Sequence, residues 1–368
     1  MLSPASPPRM SRQMIPLEIR QCLLDPQGVH TTTPLSPGLS GAKLFRCEGH
    51  QTLVLRCWPA GTSAARVREI QTVISPLASA CHLIPRYQAN IRDGELFATD
   101  SLGSIWELAT WMPGQPLAYD APFDLIRTGA GVIAKVHQEL RRAGTWQRPA
   151  EAINERLNRL NRLRHSLSRC FDINLDGHVH PSVVVPLSTA RGLLAVNWPR
   201  MSEQIVRTLS PFRDRSLPVQ YVLRDIHREH MLFRGGNVSG MIDFDAVRID
   251  TPAVDLARWA GSFSQFRQDP AGIIDCVLAG YFDAPPLPGV SGQPDTPGNI
   301  ADFGGPDSAA PTSDFRTLIL VISESSLWLS LANWVVWLVG ESRQFPDFQR
   351  VAERLSRIIE SIQGHLKR

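Results

Sequence analysis

The chain has 368 residues, of which 43% are apolar and 20% charged. That length and balance exclude a disordered or fibrous protein and allow about two domains with large cores. The net charge of +3 argues against a nucleic-acid partner, which needs a clustered basic patch.

Residues 1–15 are rich in Pro and Ser and contain no apolar stretch, so they read as a disordered tail rather than a signal peptide. Residues 16–114 form the first expected domain, a strand-rich N-lobe. Leu44–Cys47 and Thr52–Cys57 are β-prone runs on either side of Glu48-Gly49-His50, a predicted hairpin. Ser63–Ala80 has helical periodicity, with Val67, Ile70, Val73, Ile74 and Leu77 on one face. Short strands near Glu95–Asp100 and Ile105–Trp111 follow, closed by the turn Pro113-Gly114. Six scattered cysteines without a C-x-x-C pair point to free thiols in a reducing cytoplasm rather than to a disulfide or zinc framework.

Residues 115–368 form the expected C-lobe and are mainly helical. Helices are predicted at Phe123–Leu140, Ala150–Cys170, Leu193–Leu209 (interrupted near Trp198-Pro199), Pro252–Ser264 and Gly272–Phe282, with two more at Phe315–Gly340 and Asp347–Lys367. Strands at Met231–Phe233 and Val238–Phe244 flank the hairpin turn Arg234-Gly235-Gly236-Asn237. Residues 284–312 are a Pro/Gly/Asp stretch and read as a flexible surface insertion. Leu318–Val339 is the one stretch to test as a membrane span. Ser323-Glu324-Ser325-Ser326 leaves it short of the ~20 apolar residues a span needs, so a core helix and no membrane partner are expected. Arg156, Arg159, Arg162, Arg164 and Arg169 read as a solvated helix face.

The chemistry concentrates between Tyr221 and Trp259. Asp225 and Asp243 lie 18 residues apart across the predicted hairpin, each at a loop–strand junction. Phosphoryl transfer needs such a pair: one carboxylate to position and deprotonate the acceptor hydroxyl, another to hold a cation against the phosphates. In the first lobe, Gly38-Leu39-Ser40-Gly41-Ala42 precedes the strand pair, where backbone amides could fold over a triphosphate.

These residues resemble the aminoglycoside phosphotransferase and choline kinase-like family, relatives of the protein kinases. Its pattern H-G-D-x-H-x-x-N, a hairpin, I-D-[FW]-[DE] and D-P-x-x-D-L-A is matched by Asp225, His227, Asp243, Asp250-Thr251-Pro252 and Asp255-Leu256-Ala257. The resemblance implies an α+β, bilobal protein-kinase-like fold with a small β-rich N-lobe and a larger, mainly helical C-lobe. It also implies ATP and Mg2+ as cofactors and a small-molecule hydroxyl substrate. Asp225 and His227 become the catalytic pair, Asp243 the metal ligand and His230 a possible second one. Asp255 becomes a brace for the catalytic loop. Gly38, Ser40 and Gly41 would cover the phosphates and Arg56 would hold them, with Glu69 as its ion-pair partner. Trp111 and Met112 would lie near the adenine, and His137 would be structural.

Two positions depart from the pattern: Leu223 replaces the first His and His230 the metal-binding Asn. An imidazole favours Mn2+ or softer ions over Mg2+. Two readings therefore stand, an ATP-dependent small-molecule kinase and a catalytically impaired pseudokinase that binds nucleotide or a protein partner.

Overall fold

The computed structural model describes residues 15–35, 41–264, 269–284 and 313–367. The tail and the insertion expected from the sequence fall almost wholly outside these residues, as do Gly38 and Ser40. The chain divides into two compact units, Met1–Met112 and Pro113–Arg368.

The first unit opens with α1 (Leu17–Ile19), which continues into a wider turn, then β1 (Thr31–Pro34), β2 (Lys43–Glu48) and β3 (Thr52–Cys57). It continues with α2 (Ala64–Ala80), β4 (Ala98–Thr99) and β5 (Ile105–Thr110). The strands form one antiparallel sheet in the order β1-β2-β3-β5-β4, with Glu48 opposite Thr52 across the expected hairpin. Alternation sends Leu53, Leu55 and Cys57 of β3 into a core shared with Leu23, Phe45 and Leu108, so Arg56 projects from the opposite face. Ser63 caps α2, its hydroxyl accepting the N–H of Arg66 at 3.2 Å. The helix buries Val67, Ile70, Ile74 and Leu77 as its periodicity predicts.

The second unit begins with β6 (Gln115–Pro116), α3 (Phe123–Leu140), β7 (Thr145–Arg148), α4 (Glu151–Phe171) and α5 (Pro181–Leu209). Next come β8 (Leu217–Val222), β9 (Met231–Arg234), β10 (Asn237–Met241) and β11 (Arg248–Asp250). It closes with α6 (Ala253–Ser264), α7 (Pro270–Phe282), α8 (Ser313–Val335) and α9 (Phe348–Leu366). Two small antiparallel sheets, β10-β9-β6 and β11-β8-β7, sit among the helices. Gly235 and Gly236, at φ +53° and +84°, make the two-residue β9–β10 turn that Asn237 opposite Arg234 requires.

Three expectations need correction. First, α5 starts at Pro181 and runs unbroken through Pro199. Its buried face, Val183, Leu187, Ala190, Leu194, Trp198, Met201, Ile205 and Leu209, keeps helical spacing throughout. Burial of that face outweighs the ~3 kcal/mol cost of an internal proline. Second, the α4 arginines are not all solvated: Arg156 bonds Ser326 at 3.3 Å and Arg159 bonds Asn333 at 2.9 Å, both on α8. Burial pulls the Arg156 pKa down to about 10. Third, the strand expected to reach Phe244 ends at Met241, because Asp243 takes φ +64°.

The apolar helix α8 is long enough to cross a membrane by length and composition, but most of its apolar stretch is buried against α4, α5, α6 and α9. The serines that interrupt its sequence do not break it. Ser325 and Ser326 donate their hydroxyls back to the carbonyl of Ile322 at 3.0 and 2.7 Å.

Candidate active site

The loop from Leu223 to His230 joins β8 to β9 and lies on one face of α6. Asp255, Arg258 and Ser262 of that helix are spaced by three and four residues, so they share the face. The Asp255 carboxylate accepts the N–H of Leu223 at 2.7 Å and of Arg224 at 2.6 Å. It also bonds His137 Nε2 at 2.8 Å, and His137 Nδ1 lies 2.8 Å from the Tyr281 hydroxyl. Leu223, His137, Asp255 and Tyr281 are all buried. With a carboxylate on Nε2, the His137 proton belongs there and Nδ1 accepts from Tyr281. One turn on, Arg258 forks onto Asp225, with Nε at 2.9 Å and Nη2 also on the same oxygen. Ser262 accepts the N–H of Arg228 at 3.2 Å.

Arg224 occupies the left-handed region at φ +63°, a conformation that costs an L-residue of order 1 kcal/mol. Its side chain is held by Glu155 and by Asp250, whose carboxylate lies 3.5 Å from Nε. Asp250 in turn accepts the N–H groups of Ala152 (3.0 Å) and Thr251 (2.8 Å). Burial pushes the Asp250 carboxyl up to about 6, against the lowering effect of Arg224 and those N–H groups.

The hairpin brings the second half of the site back to the first. Met231 pairs with Met241, and Ile242 donates to the carbonyl of His230 at 2.9 Å, so Asp243 emerges beside His230. His230 Nδ1 is 2.8 Å from the Asp225 carbonyl, and its Nε2 is 3.5 Å from the Asp243 carboxylate. The His227 and His230 rings lie 3.8 Å apart between centroids. Asp225, His227 and His230 can also present donor atoms within 4.8 Å of one another. His227, assigned from sequence to the catalytic pair alone, therefore stands among the possible metal donors. Burial above all, then the neighbouring His230 and Arg258, drives the His227 pKa down to about 3, so its ring is neutral. Burial pushes Asp225 up, but the charge and hydrogen bonds of Arg258 win and hold its carboxyl below the usual range.

In the first unit, Glu69 is not the partner of Arg56. Glu69 is half-exposed and pairs with Arg66 at 2.8 Å. Arg56 lies 3.8 Å from Glu107, its register partner on β5, and packs over the Trp58 ring at 4.2 Å. The helix reaches this pair through Gln71, whose amide bonds Glu107 and the Leu96 carbonyl at 3.0 Å each. Two residues turn an α-helix by about 200°, which puts Glu69 on the solvent side when Gln71 faces inward. Gly41 has φ +81° before β2. Trp111 donates its main-chain N–H to the Thr52 carbonyl at 3.1 Å and lies under Arg46, while Met112 is buried.

Arg258, Glu107 and Gln71 were given no role from the sequence. Arg258 could have been found, since it follows Asp255 by one helical turn.

A model of the phosphotransferase enzyme family (APH) matches residues 31–288, over two thirds of the chain, and the protein belongs to that family. Comparison with curated proteins gives no match. Among solved structures, a spectinomycin phosphotransferase in complex with ADP and spectinomycin is 10% identical with TM-score 0.58, covering 94% of this chain and 96% of its own. An amicoumacin kinase in complex with AMP-PNP and Ca2+ is 11% identical with TM-score 0.57, covering 94% and 92%. An aminoglycoside phosphotransferase from Alicyclobacillus acidocaldarius is 11% identical with TM-score 0.53, covering 98% and 96%. The fold is that of the kinase-like phosphotransferases: an antiparallel-sheet unit followed by a larger helical one.

Proposed function

We propose that this protein is an ATP-dependent phosphotransferase that moves the γ-phosphate to a hydroxyl of a small molecule. The observation that carries the reading is His230, which joins Asp225 on one side to Asp243 on the other. The ring contacts the main-chain carbonyl of Asp225 and the carboxylate of Asp243, so the two acidic residues that phosphoryl transfer requires flank one imidazole.

Asp225, kept ionised by Arg258, accepts a hydrogen bond from the acceptor hydroxyl and takes its proton as the oxygen attacks phosphorus. Asp243 and His230 would hold a divalent cation, with His227 adjacent. Their donors, a carboxylate oxygen and an imidazole nitrogen 3.5 Å apart, can serve one ion. That mixed set suits Mn2+ better than Mg2+, which prefers oxygen ligands. When bound, the ion would draw charge from the phosphate oxygens. Arg56, steadied by Glu107, would grip the phosphates bidentately. Gly38, Ser40 and Gly41 are assigned to cover them, and Trp111 and Met112 to flank the adenine. The nucleotides and small-molecule substrates named for the similar solved structures support a nucleotide donor and a small acceptor.

The test is transfer of labelled phosphate from ATP to a metabolite pool, with Mg2+ or Mn2+. Turnover should vanish in D225A and D243A. Wild-type phosphorylation of an identified acceptor by both variants would sink the assignment.

One observation favours a second reading. Arg258 already occupies an oxygen of Asp225, and an immovable clamp there would leave a nucleotide binder without turnover. ATP with Mn2+ would then raise the melting temperature while no acceptor, and no water, received phosphate.

A further inference from the structure

We propose that the second unit holds a separate binding site for a zwitterion with an apolar body, of the size and charge pattern of an apolar α-amino acid. A cavity of about 400 Å3 opens where α5, α8 and α9 pack on one another, at the small end of the sizes that take organic ligands. Each helix presents residues three or four apart: Met201 and Gln204 on α5, Glu324 with Leu327 and Trp328 on α8, and Ile362 and His365 on α9. Met201, Leu327, Trp328 and Ile362 are buried and make an apolar wall. No residue assigned above to the nucleotide or to phosphoryl transfer lines the cavity, so binding there does not depend on transfer.

With histidine counted as neutral, the lining carries one cation and one anion: the Arg200 guanidinium of α5 and the Glu324 carboxylate of α8. Among the described residues neither forms a salt bridge, with the other or elsewhere. The Gln204 side-chain amide likewise makes no hydrogen bond among the described residues. His365 is committed within its own helix: Nδ1 lies 2.7 Å from the Ser361 carbonyl, which can only accept, so Nδ1 carries the hydrogen and donates it. Burial raises the Glu324 carboxyl above its ordinary range, and His365 offsets this only in part. A carboxylate beside an apolar wall gains more from a counter-charge than one in bulk water does. An ammonium on Glu324 and a carboxylate on Arg200 would supply both partners at once, with the body between them against Trp328 and its aliphatic neighbours. A ligand with a single charge leaves the other lining group unmatched, and a polar zwitterion forfeits the apolar wall. The cavity therefore favours an apolar amino acid over an amine, an acid or glycine.

The test is calorimetric titration of L-phenylalanine, phenethylamine, 3-phenylpropionate and glycine into the full chain. Phenylalanine should bind roughly tenfold or more tightly than each of the other three, which lack one charge or the apolar body. E324Q should weaken phenylalanine roughly tenfold and leave 3-phenylpropionate unchanged. R200M should weaken phenylalanine to a similar degree and leave phenethylamine unchanged. Those unchanged affinities also report that each variant keeps a folded cavity. No binding of phenylalanine, equal binding of all four probes, or wild-type affinity for phenylalanine in E324Q or R200M would overturn the proposal. Phosphate transfer in D225A tests the transfer reading separately.

Discussion

Asp255 holds Leu223 by its backbone: the carboxylate accepts the Leu223 N–H at 2.7 Å, while the leucine side chain is buried in the core. This explains how the loop from Leu223 to His230 keeps its course although Leu223 stands where the family pattern has a His. The contact that fixes the loop does not pass through the side chain at that position. It passes through main-chain amides to a carboxylate that His137 orients from behind.

D255A should therefore damage stability and activity together. Two backbone N–H groups and His137 would be left buried without their acceptor, each at a cost of about 1–3 kcal/mol. A net loss of about 3 kcal/mol is expected, or roughly 6–12 °C in Tm for a unit of this size. Thermal unfolding checks it. A D255A protein with unchanged Tm would show that the loop is held by other contacts. L223A should lose stability through lost burial while retaining more activity than D255A at equal temperature below both midpoints.

Glu107, not Glu69, should control nucleotide affinity. Glu107 is buried between Arg56 and Gln71, whereas Glu69 is half-exposed and paired within its own helix. E107Q removes a charge-assisted contact worth about 1.5–3 kcal/mol when buried. That should weaken ATP binding roughly 10- to 100-fold as Arg56 loses its orientation. E69Q changes an exposed i,i+3 pair and should alter affinity less than twofold. Fluorescence titration with a nucleotide analogue decides between them, and equal effects would refute the assignment.

Asp250 should make stability fall as pH rises. Its folded pKa, near 6, lies above the ordinary aspartate value, so the folded state binds the proton more tightly than the unfolded state does. The resulting stabilisation is complete below about pH 4 and is lost as pH rises through about 6. Its size is on the order of 3 kcal/mol at most. D250N abolishes the titration, so the difference in urea-unfolding free energy between pH 4.5 and 7 should shift toward greater stability at pH 7 than wild type shows. Identical pH slopes for the two proteins would exclude Asp250 as the source.

The elements that were legible in the sequence are those with a strong local signal. Leu53, Leu55 and Cys57 alternate, Val67 to Leu77 repeat with helical period, and Gly235-Gly236 demands a tight turn. The short strands β6, β7 and β11 had no such signal, because they exist only through pairing with β9 or β8. In the site, the compound motif located Asp225, Asp243 and Asp255, because spacing along one chain segment carries them. Arg56 and Glu107 are 51 residues apart and meet only across the β3–β5 register. Such long-range partners leave no local trace.

His230 should set the choice of metal. Its Nδ1 is engaged with the Asp225 carbonyl at 2.8 Å, so Nε2 is the nitrogen turned toward Asp243. An imidazole nitrogen paired with one carboxylate ranks Mn2+ above Mg2+, since Mg2+ gives up water reluctantly and favours oxygen. In H230N, the amide can still donate to the Asp225 carbonyl through its nitrogen and present its oxygen toward the ion. The ratio of activity, or of ATP-induced thermal stabilisation, with Mn2+ over Mg2+ should drop about tenfold in this variant. H230A supplies neither group and should lose apparent affinity for both ions by about 10–100-fold, the range typical when a metal's supporting partner is removed. If the Mn2+ to Mg2+ ratio stays the same in H230N, His230 does not ligate the ion. The donor set would then contract to Asp243 with Asp225 and His227.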